Sequence, residues 1–205
     1  MIEYLQMAPV AALIFIITII TSLMVFSNET LYGKFMLHPY SVSRKQYIYT
    51  IFTSGLIHKD WMHLIFNMMS YYFFAFMLEA TIGHWQFGLL YIATLVLSDL
   101  PTIYKQRDNY GYHSLGASGA ISGVIFGFIL YYPKSQMGIL FIPFPIPAYI
   151  FGGLYLLYCT YASKHSHDAI NHDAHLYGAL SGLLITIALN PDVIAICLSQ
   201  FGIRL

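Results

Sequence analysis

The residues of this chain whose types could support catalysis are a serine, two histidines and an asparagine in its most apolar parts. Ser118 stands in the stretch GASGAISG (116–123), between glycines and just ahead of the apolar run VIFGFILYY. His63 and Asn67 lie in HLIFN, and His175 lies in AHLYGALSG. A serine hydroxyl is a weak nucleophile until a histidine takes its proton. Ser118 and His175 therefore predict a nucleophile and its general base.

The other two side chains are of types that stabilise negative charge. His63 and Asn67 are four residues apart, so on a helix they share one face and present an imidazole N–H and an amide N–H. The backbone N–H of Ser118 at a helix start has no intrahelical partner. Together these donors predict an oxyanion hole for an acyl-transfer reaction.

The composition indicates a membrane protein. Hydrophobic residues make up 58% of the chain and charged residues 9%, whereas soluble domains are roughly 25% charged. Nine basic residues balance nine acidic ones, so no charge feature points to a nucleic-acid partner. Cys159 and Cys197 lie in apolar surroundings, which argues against a disulfide framework.

Six charge-free intervals are long enough to cross a bilayer, which takes about 20 residues of helix. Open sheet edges cannot face lipid, so we predict one all-α membrane domain over residues 1–205. The first apolar run lacks a basic leader and a cleavage site, so we expect a retained span rather than a signal peptide. The six helices are expected near residues 8–26, 61–80, 85–103, 117–132, 145–162 and 174–189.

The connections differ in character. Residues 27–60 are long and half-apolar, so we predict that this first loop lies in the membrane interface. Residues 104–115 and 163–173 are polar loops, and residues 133–138 are expected to form a tight turn. The PFPIP run at 143–147 breaks helices, so the fifth span is expected to begin after it.

The candidate residues should meet at one depth. The second, fourth and sixth helices run parallel if successive spans alternate in direction. His63, Ser118 and His175 each lie about 15 residues before the end of their helix, or about 22–24 Å from one surface. Small residues then allow close packing, because Gly119, Gly123 and Gly127 recur every four residues on one helix.

The sixth helix carries a matching stripe of Ala174, Gly178 and Gly182. Packing one stripe against the other would bring the Ser118 hydroxyl close to the His175 imidazole. Gly116 would permit the irregular backbone that delivers the serine to a helix start.

These motifs resemble those of the rhomboid intramembrane serine proteases. HLIFN matches the family's His-xxx-Asn helix, GASG (116–119) its Gly-x-Ser-Gly nucleophile, and AHLYGALSG its Ala-His-xx-Gly-xxx-Gly helix. Order and spacing agree over about residues 45–190. The resemblance implies a six-helix rhomboid-like bundle that cleaves membrane-anchored proteins in or near their transmembrane segment, without metal or cofactor.

By resemblance, Ser118 is the nucleophile and His175 its base, and His63, Asn67 and the Ser118 amide form the oxyanion hole. Two departures stand out: the family's common Trp-Arg pair is Tyr49-Thr50 here, and the aromatic one turn after the nucleophile is Ser122. Stacking against His175 must then come from another side chain or be absent.

Other functions are open on the sequence alone. One is a small transporter or metal carrier, since imidazole is a common zinc ligand and four histidines crowd one region. They are His165, His167, His172 and His175. A second is a catalytically silent relative that binds transmembrane helices, although no dyad residue is missing. Asp99, close to Pro101, is expected to end a helix and face water.

The charge distribution and the family resemblance predict opposite orientations in the membrane. Loops on the active-site side carry seven of the nine basic residues, and the positive-inside rule would place that side in the cytoplasm. These residues are Lys34, Arg44, Lys45, Lys59, Lys105, Arg107 and Lys164. Resemblance to bacterial rhomboids implies a multi-pass protein of the bacterial inner membrane whose site opens to the outer side. We favour the second arrangement because the first loop is expected to be embedded.

Overall fold

The computed structural model describes residues 6–138, 144–166, 168 and 170–203, and this part of the chain is mostly helical. The helices in chain order are α1 (Pro9–Phe26), α2 (Glu29–Phe35), α3 (Pro39–Val42), α4 (Thr50–Thr53), α5 (Trp61–Ile82), α6 (His84–Lys105), α7 (Ser118–Tyr131), α8 (Ala148–His165), α9 (His172–Leu189) and α10 (Val193–Ser199). A 3₁₀ turn, Ser54–Leu56, follows α4. The six long helices begin and end within about three residues of the predicted positions.

Three helices are long and apolar enough to cross a membrane: α1, α5 and α6. α9 and α10 meet at an angle of 104° and count as a fourth candidate span if they are taken together. α7 is apolar but has only 14 residues, a length of about 21 Å, against a hydrocarbon core of about 30 Å. The described chain thus has three or four candidate membrane spans rather than six by this measure.

Helix α7 lies at the centre of the molecule and is almost wholly buried. It packs against α5, α6 and α9, and its most extensive pairing is with α9. The two backbones touch: a Cβ added to Gly178 would collide with the carbonyl oxygen of Gly119, and one added to Gly182 with that of Gly123. The small-residue stripes therefore face each other across this helix pair.

The same glycines of α7 also lie close to α6. A Cβ on Gly119 would collide with the Ser98 hydroxyl, and one on Gly123 would lie 2.5 Å from the Thr94 methyl group. Both α6 side chains hydrogen-bond their own helix, since Thr94 donates to the Leu90 carbonyl and Ser98 to that of Leu95. Their polar atoms are satisfied, so these small side chains serve as packing surface.

A buried carboxylate joins α1 to the end of α5. The amides of Val10 and Ala11 donate to the two oxygens of Glu79 at 3.1 and 2.5 Å, and Glu79 is fully buried. His84 Nδ1 lies 2.7 Å from the same carboxylate. The first-turn amides of α1 have no intrahelical acceptors, so Glu79 caps that helix from another segment.

Residues 27–60 form the short helices α2, α3 and α4 with the 3₁₀ turn. Several large apolar side chains in this segment are exposed, among them Tyr47, Ile48 and Phe52. They would suit a position at the membrane surface, which stays a prediction. Backbone hydrogen bonds between Leu37 and Ser114, at 2.9 and 3.0 Å, tie the segment to the chain that leads into α7.

Two local predictions were wrong. Residues 133–138 are not only a turn, because β1 (Gln136–Met137) pairs antiparallel with β2 (Ile146–Pro147) just before α8. Asp99 does not face water at a helix end. It is 8% exposed, and α6 continues through Pro101 to Lys105. A proline inside a helix removes one hydrogen bond, and packing against neighbouring helices can offset that loss.

The α7–α9 contact leads to a stability prediction. Gly182→Val places a branched side chain against the Gly123 backbone, so we expect a loss of about 2–3 kcal/mol in unfolding free energy. Unfolding in detergent, followed by circular dichroism, measures this. The control is Gly153→Val on α8, where an added Cβ meets nothing within 4 Å. Equal losses in the two variants would contradict the role assigned to this contact.

Candidate active site

The segment that precedes α7 is held in place by backbone contacts with the first loop. Gly116 adopts φ +116°, a conformation that L side chains rarely adopt. Its amide donates to the carbonyl of Ser54 at 2.9 Å. Ala117 follows at the N-cap position, and Ser118 is the first residue of α7. The amide of Ser118 therefore lies among the unpaired donors of a helix start.

The serine and the histidine that were expected to interact lie side by side. His175 Nε2 is 2.7 Å from the Oγ of Ser118, although the two residues are 57 positions apart in the chain. His175 lies in the first turn of α9, which packs along α7 from Gly178 to Thr186. With Nε2 unprotonated, a neutral imidazole accepts the hydrogen bond of the serine hydroxyl.

Asn171 fixes the start of α9. Its side-chain oxygen accepts from the amide of Ala174 at 3.1 Å, so it caps the helix. Its amide nitrogen donates to the hydroxyls of Thr102 and Ser114, at 2.9 and 3.2 Å. One side chain thereby joins α9, α6 and the segment that leads to Ser118.

His63 lies against the glycine before the nucleophile. A Cβ on Gly116 would be 2.7 Å from His63 Cε1 and 2.9 Å from Nε2. The backbone amide of Lys59 donates to Nδ1 of His63 at 3.4 Å, so a neutral His63 ring carries its proton on Nε2. The donor end of the ring therefore points toward the segment that carries Ser118.

A buried histidine, His58, packs against His63. The His58 ring meets the His63 ring edge-on, with centroids 4.9 Å apart, and its Nδ1 lies 3.0 Å from the Ser22 hydroxyl of α1. Burial lowers the pKa of His58 to about 3, and the neighbouring His63 contributes in the same direction. His58 is therefore neutral near pH 7 and adds no charge beside the site.

Asn67 lies one helical turn beyond His63 and is 8% exposed. Its side-chain nitrogen donates to the carbonyl of His63 at 3.0 Å, which uses one of its two amide hydrogens. The structure thus groups Ser118 with His175 and sets His63 against Gly116, but it joins Asn67 to His63 rather than to Ser118. The oxyanion role of Asn67 stays a prediction.

The described histidines of the histidine-rich region, such as His165 and His172, make separate contacts. His172 Nε2 lies 3.1 Å from an oxygen of Asp168, and the His165 ring stacks on Tyr161. Hydrogen bonds from Ser166, the Ile170 amide and His172 lower the pKa of Asp168 to about 2. Within the described residues, no three His, Cys, Asp or Glu side chains are grouped to hold a metal ion. His167 lies outside the described residues.

Sequence reasoning missed one residue of this site, Tyr155 of α8. Its ring is 6.5 Å from the His175 ring, centroid to centroid, with an interplanar angle of 22°. Its hydroxyl lies 2.7 Å from the hydroxyl of Ser122. The departure at Ser122 left two possibilities, a stacking side chain from elsewhere or none, and spacing alone could not choose among the tyrosines of the chain.

The other departure combines one exposed residue with one buried residue. Tyr49 is exposed, and Thr50 is buried with its hydroxyl donating to the Tyr47 carbonyl at 2.7 Å. Neither residue contacts the Ser118–His175 pair by any described hydrogen bond.

This arrangement has the parts needed for nucleophilic catalysis. A hydroxyl within hydrogen-bond reach of an imidazole can be deprotonated as it attacks a carbonyl. The amide at the start of α7 and the Nε2 proton of His63 are donors of the kind that stabilise developing negative charge. Two of the helices that pack around the site, α5 and α6, are long and apolar enough to cross a membrane.

Comparison with known proteins identifies the family. A rhomboid domain model matches residues 45–191, which is well over half of the chain. YdcA of Bacillus subtilis, which carries a rhomboid-protease name, is 28% identical over 138 residues, or 66% of this chain. Rhomboid protein 1, mitochondrial, of Saccharomyces cerevisiae is 27% identical over 160 residues, or 72% of this chain.

The matched regions cover 64% of the Bacillus protein and 44% of the yeast protein. The chain thus spans less than two thirds of the length of these relatives. The rhomboid domain implies a multi-pass helical membrane fold, which agrees with the candidate spans described above. The resemblance inferred from the motifs is thereby confirmed, and the chain belongs to the rhomboid family.

Proposed function

We propose that this protein is an intramembrane serine endopeptidase with Ser118 as nucleophile and His175 as general base and acid. The observation that carries the proposal is the 2.7 Å distance between His175 Nε2 and Ser118 Oγ. A hydrogen bond of this kind is the geometric requirement for activating a serine. The rhomboid-protease name of one similar protein, YdcA of Bacillus subtilis, supports the same reaction class.

The mechanism follows from the positions of the donors and the base. His175 takes the hydroxyl proton as Ser118 attacks the scissile carbonyl, and it returns that proton to the leaving amine. The Ser118 amide and the N–H groups of His63 and Asn67 stabilise the tetrahedral oxyanion. Water then attacks the acyl-enzyme, and His175 again serves as base. This sequence uses no metal or other cofactor.

The substrates are membrane-anchored proteins, cut in or near their transmembrane segment. Two features support this class: the candidate dyad lies next to α5 and α6, which are long and apolar enough to cross a membrane, and polar segments adjoin it. Residues 104–115 lead directly into α7 and would let water reach the dyad. A six-span bundle in a lipid bilayer, with short α7 at its centre, suits a substrate helix that enters from the side. The chain has no net positive charge that would favour nucleic acid.

The dyad leads to a direct test. We expect Ser118→Ala and His175→Ala to lower cleavage of a fluorescent transmembrane peptide in liposomes by about 10³-fold or more. A fluorophosphonate should label the wild type at Ser118, as located by mass spectrometry. Ser199→Ala, at the exposed end of α10, should cleave and be labelled like the wild type. Labelling at another serine, or full activity of Ser118→Ala, would refute the proposal.

The oxyanion donors have a kinetic signature of their own. His63→Ala and Asn67→Ala each remove a donor that acts in the transition state, so kcat should fall about 10²–10³-fold with little change in KM. Steady-state kinetics on the same peptide measure both constants. Asn109→Ala, in the exposed loop before α7, is the matched control and should leave both unchanged. A rise in KM at constant kcat would instead assign these residues to substrate binding.

We further propose a bacterial inner-membrane location with the active site opening to the outer side. A single cysteine at Tyr110, which is 70% exposed on the active-site face, should react with a membrane-impermeant maleimide in intact cells. One at Asp192, on the opposite face, should react only after lysis. Both variants carry Cys197→Ser, and Cys159 is buried. The reverse labelling pattern would place the site in the cytoplasm, as the basic loops predict.

A further inference from the structure

The catalytic imidazole of the proposed dyad has an aromatic neighbour that comes from α8. Tyr155 faces His175 with ring centroids 6.5 Å apart and planes 22° from parallel, within the range of about 4.5–7 Å for aromatic pairs. The family position for such a ring, one turn after the nucleophile, is Ser122 here. In this chain, the ring and the nucleophile therefore lie on different helices.

The Tyr155 hydroxyl joins the ring to the nucleophile helix. The Ser122 hydroxyl donates to the Ser118 carbonyl at 2.8 Å, and a serine has only one hydroxyl hydrogen. The 2.7 Å contact between Ser122 and Tyr155 must then have tyrosine as the donor. A chain of two hydrogen bonds thus runs from α8 to the first residue of α7.

Packing limits how the Tyr155 ring can move. Phe126 of α7 and Phe151 of α8 each lie 5.7 Å from it, centroid to centroid. The His172 ring, on the same helix as His175, lies 6.1 Å from the His175 ring and nearly perpendicular to it. The imidazole therefore has two ring neighbours, one from α8 and one from its own helix.

We propose that Tyr155 is the positioning residue for His175, holding the imidazole in line with Ser118 through its ring and fixing its own place through Ser122. This inference rests on the proposed protease function. Loss of alignment of a catalytic group by about 1 Å can cost about 10²-fold in rate. The ring contact is the main element, and the hydroxyl acts by locating the ring.

The test separates ring from hydroxyl. Tyr155→Leu and Tyr155→Met remove the ring with different shapes, so both should lower kcat and the rate of fluorophosphonate labelling about 10–100-fold. KM for the transmembrane peptide should stay within about twofold, because Tyr155 is assigned no contact with substrate. Tyr155→Phe keeps the ring and should retain activity to within about fivefold.

The control is Tyr149→Leu, which removes a tyrosine from the far end of α8, next to Phe201. It should leave kcat, KM and labelling unchanged. Rates are expressed per folded molecule, with the folded fraction taken from circular dichroism melts. Either ring-deleting variant that folds suffices for the comparison.

The outcomes distinguish this inference from the proposed function. If the wild type cleaves and is labelled at Ser118, but both ring-deleting variants match Tyr149→Leu, the positioning role is wrong and the protease function stands. A rise in KM at constant kcat, or Tyr155→Phe as slow as Tyr155→Leu, also overturns the role. If the wild type neither cleaves nor is labelled, the proposed function itself fails.

Discussion

The rest of this molecule depends on the direct contact between the backbones of α7 and α9. Lipid tails are as apolar as the helix surfaces, so helices in a membrane associate through close packing and hydrogen bonds. The pairs Gly119–Gly178 and Gly123–Gly182 leave no room for a side chain. That closeness lets the first turns of the two helices present Ser118 and His175 within 2.7 Å of each other.

The helices that carry the candidate site residues differ in how their N-termini are capped. Asp60 caps α5 and Asn171 caps α9, so side chains there take up first-turn amides. α7 has no side-chain cap, and Gly116 turns the chain so that Ser118 begins the helix. A capping side chain at α7 would compete for the amide that the proposed mechanism assigns to the oxyanion. α6 and α8 also lack a side-chain cap, but among these helices only α7 begins with the proposed nucleophile.

Helix α8 contributes to the site without carrying either member of the proposed dyad. It is not among the helices long and apolar enough to count as candidate spans, and it packs on α9 and α7 rather than between them. Through Tyr155 it nevertheless reaches both members of the proposed dyad. Activity would thus depend on where α8 lies, although α8 supplies no reacting group. Residues of three helices, α7, α8 and α9, would together hold His175 in place.

The sequence alone determined the helices, their approximate ends and the motifs that carry Ser118, His175, His63 and Asn67, because apolar runs and residue spacing are local properties. The tertiary structure decided which small-residue faces meet, that Asp99 is buried, and that Tyr155 lies beside His175 where Ser122 leaves space. Each of these depends on packing between segments far apart in the chain. Local sequence pattern cannot specify such packing. The chain has several tyrosines, and only the arrangement of the helices decides which of them faces the imidazole.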